Sequence, residues 1–286
     1  MIYVSSSCVK AKKIHQAVVE LADHGFKNIE LSGGTTFYSE LEHDLFELKK
    51  KYGLNYLLHN YFPPPQEDFV INLASLNESI SKKSFEHLKT AIKLSEILGG
   101  RRLALHAGFF FDIGIDEIGR TLTRNQLFPH EAATSQFLRL FRQLSKKAGN
   151  TRLYIENNVL SHHNAQTFEG ENPFMLTDSA GFFELREQLD FELLLDVAHL
   201  KVSSKSLGLD FETELSQLFP VADYIHVSDN DGLSDQNRCL EKNSELMELL
   251  KKFDWRGKII TLEIYQPLES VQRSHDLILN ELVSDN

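Results

Sequence analysis

Eight short apolar runs recur along the chain, and each is followed by a longer stretch with helical periodicity. The runs lie near Ile2–Ser6, Asn28–Leu31, Asn55–His59, Arg102–His106, Arg152–Glu156, Glu192–Val197, Asp223–Val227 and Lys258–Ile264. Between them come patterns such as Ile14-Val18-Leu21, Leu41-Leu45-Leu48, Phe85-Leu88-Ile92, Phe137-Leu140-Leu144 and Leu246-Leu249-Leu250, spaced as one face of a helix. Gly25, Gly53, Gly99-Gly100 and Gly149 stand where helices would close in a left-handed turn. Runs such as Leu193-Leu194-Leu195 and Lys258-Ile259-Ile260 do not alternate with polar residues, which predicts strands buried on both faces of a parallel sheet. Eight such units in 286 residues are about 36 residues each, the repeat of a closed eightfold barrel. The chain is therefore expected to be α/β, a (β/α)8 TIM barrel forming a single domain over residues 1–286. An open doubly wound sheet is the alternative, but no glycine-rich nucleotide fingerprint follows any strand.

Composition narrows the function classes. With 42% hydrophobic and 25% charged residues, the chain reads as globular, and no stretch nears the roughly 20 apolar residues of a spanning helix. Two cysteines, Cys8 and Cys239, cannot build a disulfide framework. The N-terminus turns polar at Ser5-Ser6-Ser7, too early for a secretory signal. A cytoplasmic protein is expected. A formal charge of −11 disfavours nucleic acid and anionic membrane as general partners and favours a small neutral or metal-bridged ligand.

The strand ends carry the chemistry. Leu57-Leu58-His59, Leu103-Ala104-Leu105-His106, Leu153-Tyr154-Ile155-Glu156, Leu194-Leu195-Asp196, Tyr224-Ile225-His226 and Thr261-Leu262-Glu263 each end in a metal-capable side chain, and Asn28-Ile29-Glu30-Leu31 adds a weaker seventh. In a parallel barrel these ends converge on one mouth. Acids and imidazoles gathered there would repel or desolvate one another unless a cation neutralised them, so a divalent metal is expected.

His59, His106, Glu156-Asn157, Asp196-Val197-Ala198-His199, His226-Val227-Ser228-Asp229 and Thr261-Leu262-Glu263-Ile264 together resemble the xylose-isomerase-like barrel superfamily, in order and over nearly the whole chain. That superfamily includes metal-dependent sugar isomerases and epimerases and the zinc-dependent endonucleases of abasic DNA. The resemblance implies metal ligation by Glu156, Asp196, His226 and Glu263, with manganese, cobalt, magnesium or zinc as the ion. In the endonuclease branch, positions matching His59, His106, His199 and an Asp-x-His pair hold further metals. Here that pair reads Asp235-Gln236-Asn237, and asparagine is a poor zinc ligand beside imidazole.

An oxygen-rich set of three carboxylates and one imidazole suits a cation that chelates two adjacent substrate oxygens. The expected reaction is therefore that of a sugar or sugar-derivative isomerase or epimerase. A proton moves at a carbon next to a carbonyl, through an enediolate, with Glu156 and Glu263 as the acid–base pair. His59, His106, His199 and Asp229 are expected to contact substrate. The alternatives are an abasic-site endonuclease and a non-catalytic binding member of the same fold; the sequence leaves a homo-oligomer open. His162-His163 reads as a solvated loop pair, Asp229-Asn230-Asp231-Gly232 as a turn rather than a calcium loop, and Cys8 as a packing residue. Two long segments, Ala107–His130 and Asn157–Ser179, carry Phe109-Phe110-Phe111, Phe168 and Phe174-Met175. These aromatics are expected to be exposed, either as a lid over the site or as a subunit interface.

Overall fold

Strands β1 (Ile2–Ser5), β2 (Asn28–Leu31), β3 (Asn55–Leu58), β4 (Arg102–His106), β5 (Arg152–Glu156), β6 (Glu192–Asp196), β7 (Tyr224–Val227) and β8 (Ile259–Leu262) pair in parallel, each with the next, and β8 closes back on β1. The structure is a computed structural model that describes residues 1–118 and 120–283. The eight expected strands are all present, trimmed by a residue or two where the chain leaves the sheet. The expected (β/α)8 barrel is the fold observed.

Both faces of every strand are buried, which explains the unbroken apolar runs. Alternate residues pack outward against the helices, among them Val4, Ile29, Leu58, Leu103, Leu105, Ile155, Leu195, Ile225 and Ile260. The other set, Tyr3, Leu57, Ala104, Tyr154, Leu194, Tyr224 and Ile259, forms a separate cluster inside the barrel. Two residues on from each member along the strand direction, the chain presents Ser5, His59, His106, Glu156, Asp196, His226 and Thr261. The period of two that fills the barrel therefore also delivers the polar side chains to its mouth.

Helices α1 (Ile14–Asp23), α2 (Leu41–Tyr52), α3 (Glu78–Ile97), α4 (His130–Ser145), α5 (His162–Thr167), α6 (Ser179–Gln188), α7 (Val197–Leu207), α8 (Phe211–Leu218), α9 (Glu245–Leu250) and α10 (Leu268–Ile278) lie outside. Their ends carry local signals: Asn77 caps α3 by accepting from Ser79 N, and Gly53 closes α2 at φ 66°. No helix among the described residues is long and apolar enough to cross a membrane.

The two long loops differ from expectation. Phe109, Phe111, Phe168 and Phe174 are buried, packed with Val70, Leu122 and Leu160 in a second core above the barrel. A short antiparallel bridge joins Phe109 to Phe174. Asn72 Nδ2 donates to the carbonyls of Phe109 and Phe111 while its Oδ1 accepts from Phe109 N. Asn158 Nδ2 donates to Ala107, Gly108 and Met175 carbonyls. The aromatics are thus covered within one chain and are neither an exposed lid nor an exposed interface. Two buried amides satisfy loop carbonyls that would otherwise keep the segments in water.

Candidate metal centre and active site

Barrel closure brings His226 among three carboxylates. Its Nδ1 lies 3.4 Å from Glu263 Oε2, 3.5 Å from Glu156 Oε1 and 3.8 Å from Asp196 Oδ2. No hydrogen bond forms at Nδ1 or at Glu156 Oε1, so both are buried polar atoms with no hydrogen-bond partner. Bonds of about 2.0–2.2 Å to a shared ion would set neighbouring ligand atoms roughly 3–3.6 Å apart. The Glu263 and Glu156 spacings fall in that range and the Asp196 spacing is about 0.2 Å beyond it, and a cation would satisfy both orphaned atoms. Asp196, His226 and Glu263 form one group able to hold an ion, with ligand atoms within 4.8 Å of one another. The same holds for His59, Glu156 and His226, and for His106, Glu156 and His199.

Each ligand candidate is aimed by its neighbours. Asp196 ends β6 and caps α7, its Oδ1 accepting from His199 N at 2.7 Å, which leaves Oδ2 for the site. Asn157 ties β5 to β6: its Oδ1 accepts from Asp196 N at 2.7 Å and its Nδ2 donates to Asp196 O at 3.0 Å. Its backbone oxygen lies 2.9 Å from His199 Nδ1, so that ring nitrogen donates and Nε2 turns toward Asp235 Oδ2, at 3.5 Å. Ser7 and Tyr265 hydroxyls donate to Glu263 Oε1 at 3.1 and 2.7 Å, so its two oxygens have different duties.

The electrostatics record the crowding. Burial pushes Asp196 up to about 6, with Glu156 and Asp235 adding to the rise against His199 and His226. For Glu156 burial is outweighed by the His106, His59 and His226 imidazoles, which hold its carboxyl well below the ordinary range. Burial also opposes ionisation of Glu263, but His226 beside it brings the carboxyl down to about 2. Burial pulls His106 down to about 4. For His226, burial is overridden by Glu30, Glu263 and Glu156, which hold the ring well above the ordinary histidine value. Protons here do the neutralising that a divalent ion would do, so ion binding should release protons.

Two residues expected to contact substrate have close protein partners. Asp229 Oδ1 is held by Lys201 Nζ at 2.6 Å and by Asn230 N at 2.8 Å, which anchors the turn after β7. His59 is buried, with Nε2 2.7 Å from Glu156 Oε2 and Nδ1 4.0 Å from Glu30 Oε1, so both its nitrogens face carboxylates rather than the open mouth. His106 keeps an open edge, its side chain 23% exposed and its Nδ1 3.1 Å from Glu156 Oε2. His162 and His163 begin α5 and are exposed. Ser7, Asn157 and Tyr265 were not singled out as site residues by the sequence. Only Asn157 gave a signal, through its place directly after Glu156.

The sequence model of one family matches residues 18–281, nearly the whole barrel. The chain belongs to the xylose isomerase-like TIM barrel family. No curated protein matches it significantly in sequence. Among solved structures, a D-tagatose 3-epimerase-like protein superposes with a TM-score of 0.72 at 16% identity, covering 98% of this chain and 96% of that one. D-psicose 3-epimerase from Clostridium cellulolyticum, solved with D-tagatose, gives 0.65 at 12% identity over 98% and 99%. Endonuclease IV from Thermus thermophilus gives 0.59 at 16% identity over 97% and 98%. At these identities the likeness is one of fold, shared by family members with different chemistry.

Proposed function

We propose that this protein is a divalent-metal-dependent epimerase or isomerase of a sugar or sugar derivative, with Glu156, Asp196, His226 and Glu263 as the metal ligands. The observation that carries this reading is the convergence of three carboxylates on the unbonded Nδ1 of His226. When bound, the cation would polarise a substrate carbonyl and balance the clustered negative charge. Glu156 and Glu263, on strands three apart around the ring of eight, are the assigned acid–base pair for proton transfer at the carbon beside that carbonyl. Glu156 Oε2 is held by His59, leaving Oε1 for the site. Glu263, 15% exposed in its side chain, lies on the solvent side, with Oε1 fixed by Ser7 and Tyr265. His106 and His199 supply imidazole edges for substrate hydroxyls. The epimerases among the structural neighbours support the same substrate class.

The decisive measurement is deuterium uptake from heavy water into a panel of ketoses and aldoses, with manganese or cobalt present. Uptake should fall by about 10²–10⁴-fold in Glu156→Gln and in Glu263→Gln. Uptake unchanged in both variants overturns the assigned roles.

A second reading, zinc-dependent cleavage at abasic DNA sites, draws support from the group formed by His106, Glu156 and His199. Against it, Asn237 spends its Nδ2 on Asp235 Oδ2 at 2.9 Å and accepts from Ser228 through Oδ1. The amide locks Asp235 instead of offering a ligand. An abasic-site duplex incubated with the zinc-loaded protein should remain uncut; cleavage at ordinary enzyme concentrations reverses the ranking.

A further inference from the structure

Glu30 lies inside the barrel at the level of Leu57 and Ser5, its register partners on β3 and β1. It is wholly buried. Apolar side chains fill most of the neighbouring interior, and a buried carboxylate there costs several kcal/mol in desolvation unless its acceptors are filled. They are filled. Oε2 accepts from His226 Nε2 at 2.9 Å, from Thr261 Oγ1 at 3.0 Å and from the Tyr224 hydroxyl. Oε1 accepts from Ser32 Oγ at 3.3 Å. Three donors crowd Oε2, so that oxygen has no lone pair left for an ion or a substrate, and Oε1 carries the fourth bond.

We propose that Glu30 is a positioning residue for the metal centre: by taking the Nε2–H of His226 it directs Nδ1 of that ring at Glu156, Asp196 and Glu263. The inference rests on the metal reading given above. Its geometry is independent of that reading. Imidazole has two nitrogens, and the partner of one fixes the orientation and role of the other. On one side of the His226 ring stands Glu30; on the other stands Glu263, 3.4 Å from Nδ1. Three serine hydroxyls also lie between these two carboxylates, with the single Ser5 proton shared between its two neighbours. Ser32 Oγ lies 2.9 Å from Ser5 Oγ, Ser5 Oγ lies 2.7 Å from Ser7 Oγ, and Ser7 donates to Glu263 Oε1. Two strand ends from the N-terminal part of the chain thereby hold the ring and its opposite ligand in one frame.

The test uses full-length protein stripped with chelator, with cobalt(II) as the probe and affinity read by chelator competition. Glu30→Gln should weaken cobalt(II) binding by about 10–100-fold while far-UV circular dichroism shows a folded barrel. In the metal-free protein the slowly exchanging Nε2–H resonance of His226 should move upfield as a charge-assisted bond becomes neutral. Thr261→Val, which removes one donor to Glu30 and leaves its charge, should weaken binding less; it decides the question if Glu30→Gln does not fold. A purely structural role would lower the melting temperature and leave both the affinity of the folded protein and the His226 resonance unchanged, and that result overturns the proposal. If the unmodified protein binds no cobalt(II), the metal reading fails and takes this one with it. If it binds and the variants match it, the role of Glu30 alone fails.

Discussion

The carboxylate of Asp196 is divided between two tasks: Oδ1 accepts the backbone N–H of His199 at 2.7 Å, and Oδ2 stands 3.8 Å from His226 Nδ1. The first caps α7; the second stands in the candidate metal cluster. Asparagine can still cap a helix, but it lacks the charge a divalent ion needs. Asp196→Asn should therefore keep the stability of the metal-free protein and weaken metal binding at least tenfold. Asp196→Ala should lose the cap as well, at a cost of about 0.5–2 kcal/mol. Urea unfolding with chelator, set beside metal titration, separates the two. Equal metal affinity in all three proteins removes Asp196 from the ligand set.

Metal supply should act on stability through mass action. An ion bound only by the folded state at 100 times its dissociation constant adds about 2.7 kcal/mol. Thermal unfolding should be one cooperative transition that manganese or cobalt moves upward. A second transition would show that the barrel and the loop core above it unfold separately.

His87 on α3 provides a pH dependence away from the site. Its ring packs edge-on to Phe69 with centroids 5.6 Å apart, and its Nε2 is buried without a hydrogen bond. Burial pulls its pKa down to about 4 from the ordinary 6.5. The unfolded chain therefore takes up this proton first. The stabilisation from a neutral His87 is complete above pH 6.5 and is lost as pH falls toward about 4. The loss is on the order of 3 kcal/mol. His87→Leu should flatten this limb of a stability–pH curve measured with chelator present; an unaltered curve refutes the assignment.

Gly108, two residues after His106, lies where three loops meet. A Cβ there would lie 2.5 Å from Ala74 Cβ and 2.7 Å from Met175 Sδ. Gly108→Ala should destabilise by about 1–3 kcal/mol through overpacking, with the loss visible in denaturant midpoints. No loss would mean that the loops yield more readily than their buried amide bonds imply.

The two thiols should differ in reactivity. Cys8 is buried beside Ile264 N and Leu262 O, and burial pushes its pKa up to about 12. Cys239 is partly exposed. A thiol-disulfide reagent at neutral pH should modify one cysteine in the native protein and the second only on unfolding. Two rapid equivalents would contradict the packing role of Cys8.

Some of this molecule is legible from residue order alone. Parallel strands covered on both faces need long apolar runs, and each run must end where the chain turns into solvent, so the ends Glu156, Asp196, His226 and Glu263 could be read without coordinates. Helix stops were equally local: Gly25, Gly53, Gly99 and Gly149 all have positive φ, which only the absent Cβ makes inexpensive. What each polar side chain does was decided elsewhere. Barrel closure sets β1 beside β8, so Ser7 reaches Glu263 across 256 positions of sequence and Glu30 reaches His226 across 196. The same closure buries His59 against Glu156, while neighbouring units bring Lys201 to Asp229 and the loop aromatics pack over one another. A strand's period states which way a side chain points. The partner it meets depends on the stagger of strands distant in sequence, and only the tertiary structure supplies that.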